Sequence, residues 1–340
     1  MTDENIKLEK KPLTPFFLSI VFSFRNEEDV LKELLSRMRA VMQKEIQYGR
    51  ITDYEMIFVN DASNDRSLDI LRDLVKIRND IRIVNLSRTF GVTAGVLAGM
   101  AHSSGDAVIY MDCDLQDPPE VIHDMLDLWF DENPIEIIHT IRNKRVGEHP
   151  VKMFLTKLGY TILHKISGLR LPMEAGDFKM LSRRAVNHLL AFNEKKPYIR
   201  GLIYWMGFKY KFLPYTREAR FAGQTKFPIY SWKVISNFTD SALISFSSIP
   251  LKIASILGLS AILIDLLFMT HALLEKIQGK AIPGWTAIMV VVLFLGGVQL
   301  FCLGIVGLYL NAIFEQSMDR PRYIIESTEG FPKHINPLKP

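Results

Sequence analysis

Three carboxylates and an amide stand close together in Ala107–Glu120, which reads AVIYMDCDLQDPPE. The apolar run Ala107–Met111 has the composition of a buried strand, and Asp112, Asp114 and Gln116 follow it directly. Because open α/β sheets bind ligands at the carboxyl ends of their strands, we expect these side chains to face one pocket. Concentrated negative charge is costly without a cation, and a hard divalent ion prefers oxygen ligands. The stretch therefore predicts an Mg²⁺ or Mn²⁺ site formed by Asp112, Asp114 and Gln116, with water and substrate phosphates completing the shell of the ion.

Other acidic residues near strand ends have a structural alternative. Asp117 precedes Pro118-Pro119, an order that suits the start of a helix, so we expect it to cap a helix rather than bind the ion. Asp61 and Asp65 follow a second apolar run and could both cap in Asx turns. We expect a ligand role for Asp61 and a capping role for Asp65.

The elements that must position these residues follow from the spacing of the apolar runs. Runs with strand composition alternate with helical stretches, at Phe16–Phe24, Glu55–Val59, Ile81–Val84, Ala107–Met111 and Ile135–Thr140. This alternation predicts an α/β fold with a mainly parallel sheet covered on both faces. The first, second and fourth runs end in acidic residues and the third leads to Arg88, so the shared edge predicts a nucleotide pocket.

The second half of the chain supplies basic residues and one further acid. Asp177 stands at the start of an apolar run, where it is expected to face the pocket. The basic loop Arg142–Glu148 is either a solvated face or a flap over phosphate groups. Arg220, Thr225 and Lys226 flank a glycine, an arrangement suited to phosphate oxygens.

The resulting site prediction has two parts. The side chains expected to act in catalysis are Asp112, Asp114, Asp177, Arg220 and Lys226. Those expected to contact the nucleotide and its phosphates are Asn26, Glu27, Asp61, Ser63, Arg88, Arg145, Arg200, Arg217 and Thr225.

Length and composition limit the class of protein. A chain of 340 residues predicts two domains, or one domain with an appendage. The net charge of +4, without a run of basic and aromatic residues, argues against nucleic-acid binding. The two cysteines, Cys113 and Cys302, lie too far apart for a disulfide framework, and no neighbouring His suggests a catalytic thiol. The polar beginning of the sequence lacks the pattern of a secretory signal.

The composition changes sharply near residue 229. Ala281–Phe314 contains no Asp, Glu, Lys or Arg and exceeds the roughly 20 residues that a helix needs to span a bilayer. Leu251–Leu274 is a second candidate, although Asp265 lies within it and must find a partner inside the protein. Two spans joined by Glu275–Lys280 would form a transmembrane hairpin. Flanking basic residues and the missing signal sequence predict a multi-pass protein of the inner or plasma membrane, with the large domain and both termini cytoplasmic.

These features divide the chain into five segments. We expect a flexible tail at 1–15, a catalytic domain at 16–228 and interfacial amphipathic helices at 229–249, where aromatic side chains alternate with polar ones. The hairpin occupies 250–314, with spans at about 251–274 and 284–314, and a cytoplasmic tail occupies 315–340.

Taken together, the motifs resemble the polyprenyl-phosphate glycosyltransferases of the GT-A, family 2 type, which include bactoprenol glucosyltransferases and dolichyl-phosphate mannose synthases. The matching stretches follow the family order from Phe17 to Tyr323: Asn26–Glu28, Val59–Asp61, Asn85–Gly91, Asp112–Glu120, Gly176–Phe178, Arg220–Lys226, the second span and Arg320–Tyr323. The resemblance implies a GT-A, Rossmann-like fold and a hexosyltransferase with a cytoplasmic active site. In the two-span bacterial branch, it also implies a homotetramer.

The resemblance assigns roles to particular residues. It places Asp61 at the base and ribose, and Asp112, Asp114 and Gln116 at the metal and diphosphate. It places Arg220 and Lys226 near the phosphates of the donor and the acceptor.

Some positions depart from the family pattern. Ser23 and Arg25 stand where Pro and Tyr are frequent, Ala62 where Gly is common and Gly307 where Glu is usual. These departures leave open the sugar and the choice between UDP and GDP donors.

The chemistry expected is inverting transfer of a sugar from a nucleotide-sugar, most simply a UDP-sugar, to a polyprenyl phosphate at the cytoplasmic membrane face. The acceptor phosphate is already anionic, so its oxygen needs no strong base, and cations placed where charge develops are the appropriate catalysts. One alternative is a processive polysaccharide synthase, although its Gln-x-x-Arg-Trp motif and additional spans are not visible. The other is a non-catalytic membrane scaffold or flippase subunit.

Overall fold

The computed structural model describes residues 14–131, 135–143, 175–219, 221, 249–278 and 284–332. The chain divides into two compact units. The first takes in the described residues up to 221 together with 321–332, and the second takes in the described residues from 249 to 320.

Strands and helices alternate through most of the first unit. In chain order they are β1 (Phe16–Phe24), α1 (Leu31–Gln47), β2 (Ile51–Asn60), α2 (Ser67–Val75), β3 (Ile81–Leu86), α3 (Val92–Ala101), β4 (Ala107–Asp112), α4 (Val121–Asp131), β5 (Ile137–Arg142), β6 (Ala175–Ser182), α5 (Arg183–Ala191), α6 (Ile199–Trp205), β7 (Tyr210–Tyr215) and β8 (Ile325–Glu329). The five predicted strands are confirmed, with β2, β3, β4 and β5 displaced or extended by one to a few residues at their ends.

The strands form one eight-stranded sheet in the order β7-β5-β6-β4-β1-β2-β3-β8. The neighbours from β4 to β3 are parallel, as are β5 and β7. In contrast, β6 is antiparallel to β4 and β5, and β8 is antiparallel to β3. The predicted α/β class with a mostly parallel sheet is therefore confirmed.

The core explains why the strands are apolar throughout. Leu18, Ile20, Val21 and Phe22 of β1 are all fully buried, as expected for a central strand covered on both faces. α1 covers part of one face with side chains at helical spacing, including Leu31, Leu34, Leu35, Met38 and Met42.

The small residues of α3 allow this helix to approach β1 closely. A Cβ added to Gly95 would lie 2.2 Å from Ser23 Oγ, and one added to Gly99 would lie 2.3 Å from a Val21 methyl carbon. Because side chains larger than hydrogen do not fit there, the glycines set the distance from α3 to the sheet. Ser23, which replaces the frequent Pro, lies at this contact.

The second unit contains two long helices in its described residues, α7 (Ile249–Ile277) and α8 (Trp285–Ser317). They meet where Cys302 Sγ lies 3.2 Å from the carbonyl oxygen of Ala254. Among the described residues, one helical segment, Phe294–Ser317 within α8, is long and apolar enough to cross a membrane. The apolar part of α7, Ala254–Phe268, is shorter than the roughly 20 residues that a membrane span needs, so the predicted pair of spans is not confirmed. The predicted interfacial helices lie almost entirely outside the described residues.

Candidate active site

The carboxyl ends of β1, β2 and β4 meet at one edge of the sheet. The register pairs Phe24 with Asn60 and Ser23 with Asp112, so the turns that follow these strands are neighbours. Antiparallel β6 begins at the same edge, because Tyr110 of β4 pairs with Lys179 of β6 and Asp177 precedes Lys179 by two residues. The structure therefore brings the acids after β2 and β4 together with Asp177.

Asp112, at the end of β4, lies in a field of excess negative charge. Burial raises its pKa to about 7, and the charges of Asp177, Asp117 and Asp114 add to this effect while Arg217 opposes it. Asp114 is 7% exposed, and its Oδ1 accepts a hydrogen bond from the Gln116 backbone N–H at 3.1 Å. Repulsion of this kind is relieved by a bound cation.

The donor set suits a divalent ion that keeps water and phosphate ligands. In the part of the chain that the structure describes, no group of three or more His, Cys, Asp or Glu side chains is arranged to hold an ion. Asp112 and Asp114 supply two carboxylates and Gln116 an amide oxygen, and Mg²⁺ commonly takes one or two carboxylates plus substrate phosphates. The residues present thus fit the predicted ion only with a phosphate-bearing substrate in place.

Asp117 does not cap α4, so the capping prediction is wrong. The side chain is fully buried and its Oδ1 accepts hydrogen bonds from the Tyr215 hydroxyl and, at 3.1 Å, from Arg217 Nε. Its Oδ2 lies 3.8 Å from Arg142 Nη2. Asp117 instead connects the segment that follows β7 to the acidic turn after β4. Arg217, which was predicted to contact the nucleotide and its phosphates, is one of the residues that bind Asp117.

Asp177 is held by Arg200 of α6. Arg200 Nε donates to Asp177 Oδ1 at 2.6 Å, and Nη2 contacts Oδ2. Burial acts to raise the pKa of Asp177, but the hydrogen bonds and charge of Arg200 outweigh it and hold that pKa below its ordinary value. The pair therefore presents a carboxylate that stays ionised at neutral pH.

Lys179, which the sequence analysis did not single out, lies beneath this pair. It is fully buried, and its Nζ donates to the Gly176 carbonyl oxygen at 2.6 Å. Burial lowers its pKa to about 7, against the raising effect of Asp177. Residues two positions apart in a strand lie on the same face, so the position of Lys179 relative to Asp177 could have indicated that it lies near the site.

The turns after β1 and β2 are joined by side-chain hydrogen bonds. Asn26 Nδ2 donates to Asn64 Oδ1 at 2.6 Å, and the Asn26 backbone N–H donates to Ser63 Oγ at 3.1 Å. The Glu27 N–H donates to Ser67 Oγ at 2.8 Å. Three of the residues predicted to bind the nucleotide, Asn26, Glu27 and Ser63, therefore lie together.

Asp61 and Asp65 have different hydrogen-bond partners, and those of Asp65 are the ones expected for its predicted capping role. Asp65 accepts from the Ser67 N–H at 3.1 Å and from the Ser67 hydroxyl at 2.8 Å, which confirms its Asx-turn role. Asp61 accepts from the N–H groups of Phe90 and Gly91 at 2.6 and 3.0 Å. It thereby orients the loop that precedes α3, and its ligand role stays a prediction.

Three turns at this edge contain a residue other than glycine in the left-handed backbone region. Asn26, Ala62 and Leu115 have φ angles of 55°, 54° and 56°. Such conformations cost energy and cluster at functional sites. The φ angle of Ala62 is one that glycine adopts more readily than alanine.

Several predicted basic residues require separate comment. Arg88 is exposed, its Nη1 donates to the Thr89 carbonyl at 3.2 Å, and its guanidinium carbon lies 4.1 Å from the centre of the Phe90 ring. The basic loop was predicted to be either a solvated face or a flap over phosphate groups. Its first residue, Arg142, fits neither alternative, because it ends β5 and faces Asp117. The predictions for Arg145, Arg220, Thr225 and Lys226 fall outside the described residues.

Several known proteins are similar to this chain. Residues 19–190 match the family described as glycosyl transferase family 2. An uncharacterized glycosyltransferase of Synechocystis sp. is 39% identical over 92% of this chain and 96% of its own length. The bactoprenol glucosyl transferase of Shigella phage SfV is 30% identical over 91% of this chain and 98% of its own length.

Solved structures include more distant similarities. A mannosyltransferase from Pyrobaculum calidifontis, in complex with GDP-Man and Mn²⁺, has a TM-score of 0.43 at 13% identity over 90% of this chain and 88% of that one. The match over residues 19–190 and the full-length relatives lead to one conclusion: this chain belongs to glycosyl transferase family 2 and is a glycosyltransferase.

Proposed function

We propose that this enzyme transfers a sugar from a uridine diphosphate sugar to the phosphate of a polyprenyl phosphate, with inversion at the anomeric carbon. The main observation in support of a nucleotide-sugar donor is the excess negative charge around Asp112 at the carboxyl edge of the sheet. The acceptor half is supported by the name of a relative that aligns over nearly its whole length, a bactoprenol glucosyl transferase. Family membership as a glycosyltransferase contradicts the non-catalytic scaffold alternative.

In this proposal, the acids at the sheet edge bind the diphosphate end of the donor. Asp112, Asp114 and Gln116 would hold Mg²⁺ or Mn²⁺, which when bound neutralises the charge that develops on the departing diphosphate. Asp61, with Asn26, Glu27 and Ser63 in the joined turns, would contact the nucleoside.

Basic side chains, together with the hydroxyl of Thr225, would bind and orient the phosphates. Arg88, Arg145 and Thr225 are assigned to the donor phosphates, and so are Arg200 and Arg217. The last two also pair with Asp177 and Asp117, so the same two guanidinium groups would connect these acids to the donor phosphates. Arg220 and Lys226 are assigned to the phosphates of the donor and the acceptor.

The reaction needs no strong base within the protein. An ionised oxygen of the acceptor phosphate attacks the anomeric carbon of the sugar. The bond from that carbon to the diphosphate breaks, and the nucleoside diphosphate leaves with the electron pair. No proton transfer is required, so Asp177, held ionised by Arg200, would act by charge and by orienting Arg200 rather than as a general base.

The membrane arrangement is part of the same proposal. Phe294–Ser317 is 24 residues long and almost none of its apolar surface is covered by protein, as expected for a helix surrounded by lipid. We propose that α7 also spans the membrane, that residues 229–249 lie in the interface, and that domain 16–228 and both tails are cytoplasmic. A homotetramer in the inner or plasma membrane completes the proposal.

Topology can be tested with single cysteines introduced into a variant in which Cys113 and Cys302 are replaced by alanine. A cysteine at position 278, directly after α7, should react with an impermeant maleimide from outside the cell, whereas one at 330 should react only after lysis. Labelling of both positions from the same side would contradict the two-span arrangement.

The transfer reaction can be tested with the full chain purified in mild detergent. It is incubated with UDP-glucose, UDP-galactose or GDP-mannose, Mg²⁺ and a short polyprenyl phosphate, and products are identified by mass spectrometry. We expect one lipid-linked sugar per nucleotide released, and no product with the corresponding polyprenyl alcohol as control. A polymer would indicate the processive synthase instead. Equal nucleotide release with the phosphate and the alcohol would contradict the proposed acceptor.

A further inference from the structure

Arg37 of α1 joins two segments that are far apart in the sequence. Its Nε and Nη2 donate to the two carboxylate oxygens of Glu120 at 3.0 and 2.5 Å. Its Nη1 and Nη2 also donate to the two carboxylate oxygens of Glu218 at 3.0 Å each. One guanidinium thus makes a bidentate contact with each of two carboxylates, a geometry that only arginine provides.

The same two segments are tied together by further contacts. The Glu218 backbone N–H donates to the Gln116 carbonyl oxygen at 2.9 Å. Arg217 and Tyr215 both donate to Asp117, as described above. Residues 116–120 and 215–218 are therefore connected by backbone, by a buried carboxylate and, on the outside, by Arg37. We refer to this set of contacts as the 116–218 bridge.

We propose that Arg37 is a positioning residue for sugar transfer, which sets the spacing between the turn that bears Asp112, Asp114 and Gln116 and the segment that bears Arg217. This inference rests on the proposed function. The donor diphosphate must contact groups on both segments at once, so their separation decides whether the reacting atoms align. A displacement of about 1 Å can cost about 100-fold in rate.

The bridge differs from a contact that merely stabilises the fold. The Glu120 and Glu218 side chains are 54% and 48% exposed, and that of Arg37 is 22% exposed. Ion pairs between such exposed groups contribute little to stability. Loss of Arg37 should therefore leave the free energy of unfolding nearly unchanged. It removes the contact between Glu120 and Glu218, so the two segments can separate on that side, which distinguishes the positioning role from a structural one.

The test compares Arg37→Ala with Arg39→Ala, a matched control on the same helix, in the full chain in detergent. Hydrogen exchange is measured on peptides that cover 214–221, and kcat and KM are measured for transfer to a short polyprenyl phosphate. We expect Arg37→Ala to speed exchange of the Glu218 N–H and to lower kcat/KM about 10- to 100-fold, with an unchanged unfolding midpoint. Arg37→Lys, which keeps the charge but loses the paired geometry, should be intermediate.

The outcomes separate the two proposals. Equal exchange in Arg37→Ala and Arg39→Ala overturns the bridge, and faster exchange with unchanged kcat/KM overturns the positioning role. A fall in the unfolding midpoint that parallels the loss of activity also overturns it, in favour of a structural role. If the wild type transfers no sugar to polyprenyl phosphate, the proposed function fails, and Arg37 is then not a positioning residue for this reaction even where exchange confirms the bridge.

Discussion

Replacement of Lys179 by methionine should remove a large part of the dependence of stability on pH. Lys179 is fully buried, and its pKa falls from an ordinary 10.5 to about 7. Between these two values the unfolded chain binds a proton that the folded chain does not, so stability rises with pH over this window. Below about pH 7 the unfavourable contribution is constant.

The size of the effect follows from the same two values. The protonation of Lys179 in the unfolded state disfavours folding by about 4 kcal/mol at pH 7 and by about 1 kcal/mol at pH 9.5. Lys179→Met loses this contribution and also leaves the Gly176 carbonyl without its donor, at a cost of about 1–3 kcal/mol at either pH. The variant should be about 1–3 kcal/mol more stable than wild type at pH 7, and between equal to wild type and about 2 kcal/mol less stable at pH 9.5.

The measurement is pulse proteolysis of the full chain in detergent over a urea series, at pH 7 and at pH 9.5. The wild type should gain about 3 kcal/mol relative to Lys179→Met between the two values of pH. Lys209→Met, at an exposed position, should follow the wild type. Parallel pH dependences of wild type and Lys179→Met would refute the reasoning, because the buried amine would then carry the same charge in both states.

Three further predictions concern the candidate site. Asp114→Ala should abolish sugar transfer while the urea midpoint stays near that of wild type; near-normal transfer by this variant with metal present would refute the metal assignment. Removal of divalent ions with EDTA should stop transfer, and added Mg²⁺ or Mn²⁺ should restore it, whereas full activity in EDTA would exclude a required ion. Ala62→Gly should stabilise the protein by about 0.5–1 kcal/mol, because it relieves about 1–2 kcal/mol of left-handed strain and loses about 0.4–1 kcal/mol through the more flexible unfolded chain. A lower urea midpoint for this variant would show that Ala62, with a φ of 54°, is not strained.

The strands and the acidic edge could be predicted because the signals are local. An apolar run that ends in Asp112 has the pattern of a buried strand with its functional end exposed, and parallel strands bring such ends together. The capping prediction for Asp117 failed because Asp-Pro-Pro has the local pattern of a helix start. The partners that decide its role, Tyr215 and Arg217, lie 98 and 100 residues further along the chain.

The strands that sequence reasoning missed lack an apolar pattern. β8, with the sequence IESTE, is an edge strand that is not buried on both faces, so its residues can be polar. In β7, which is also an edge strand, Tyr210, Lys211 and Pro214 are exposed, so its sequence likewise has no continuous apolar run. Arg37 has the pattern of an ordinary surface residue on an amphipathic helix, and only the three-dimensional positions of Glu120 and Glu218 distinguish it.

The position of β8 has a consequence for biosynthesis. β8 pairs with β3, yet Asn85 and Ser327, which are hydrogen-bonded across the two strands, are 242 residues apart. A ribosome that adds about 5–20 residues per second needs roughly 12–50 s to synthesise the intervening chain. During that interval the open edge of β3 has no strand beside it and can pair with another nascent chain. Translation that stalls within α8 would therefore release a product prone to aggregation through β3, even though every predicted catalytic residue had already been made.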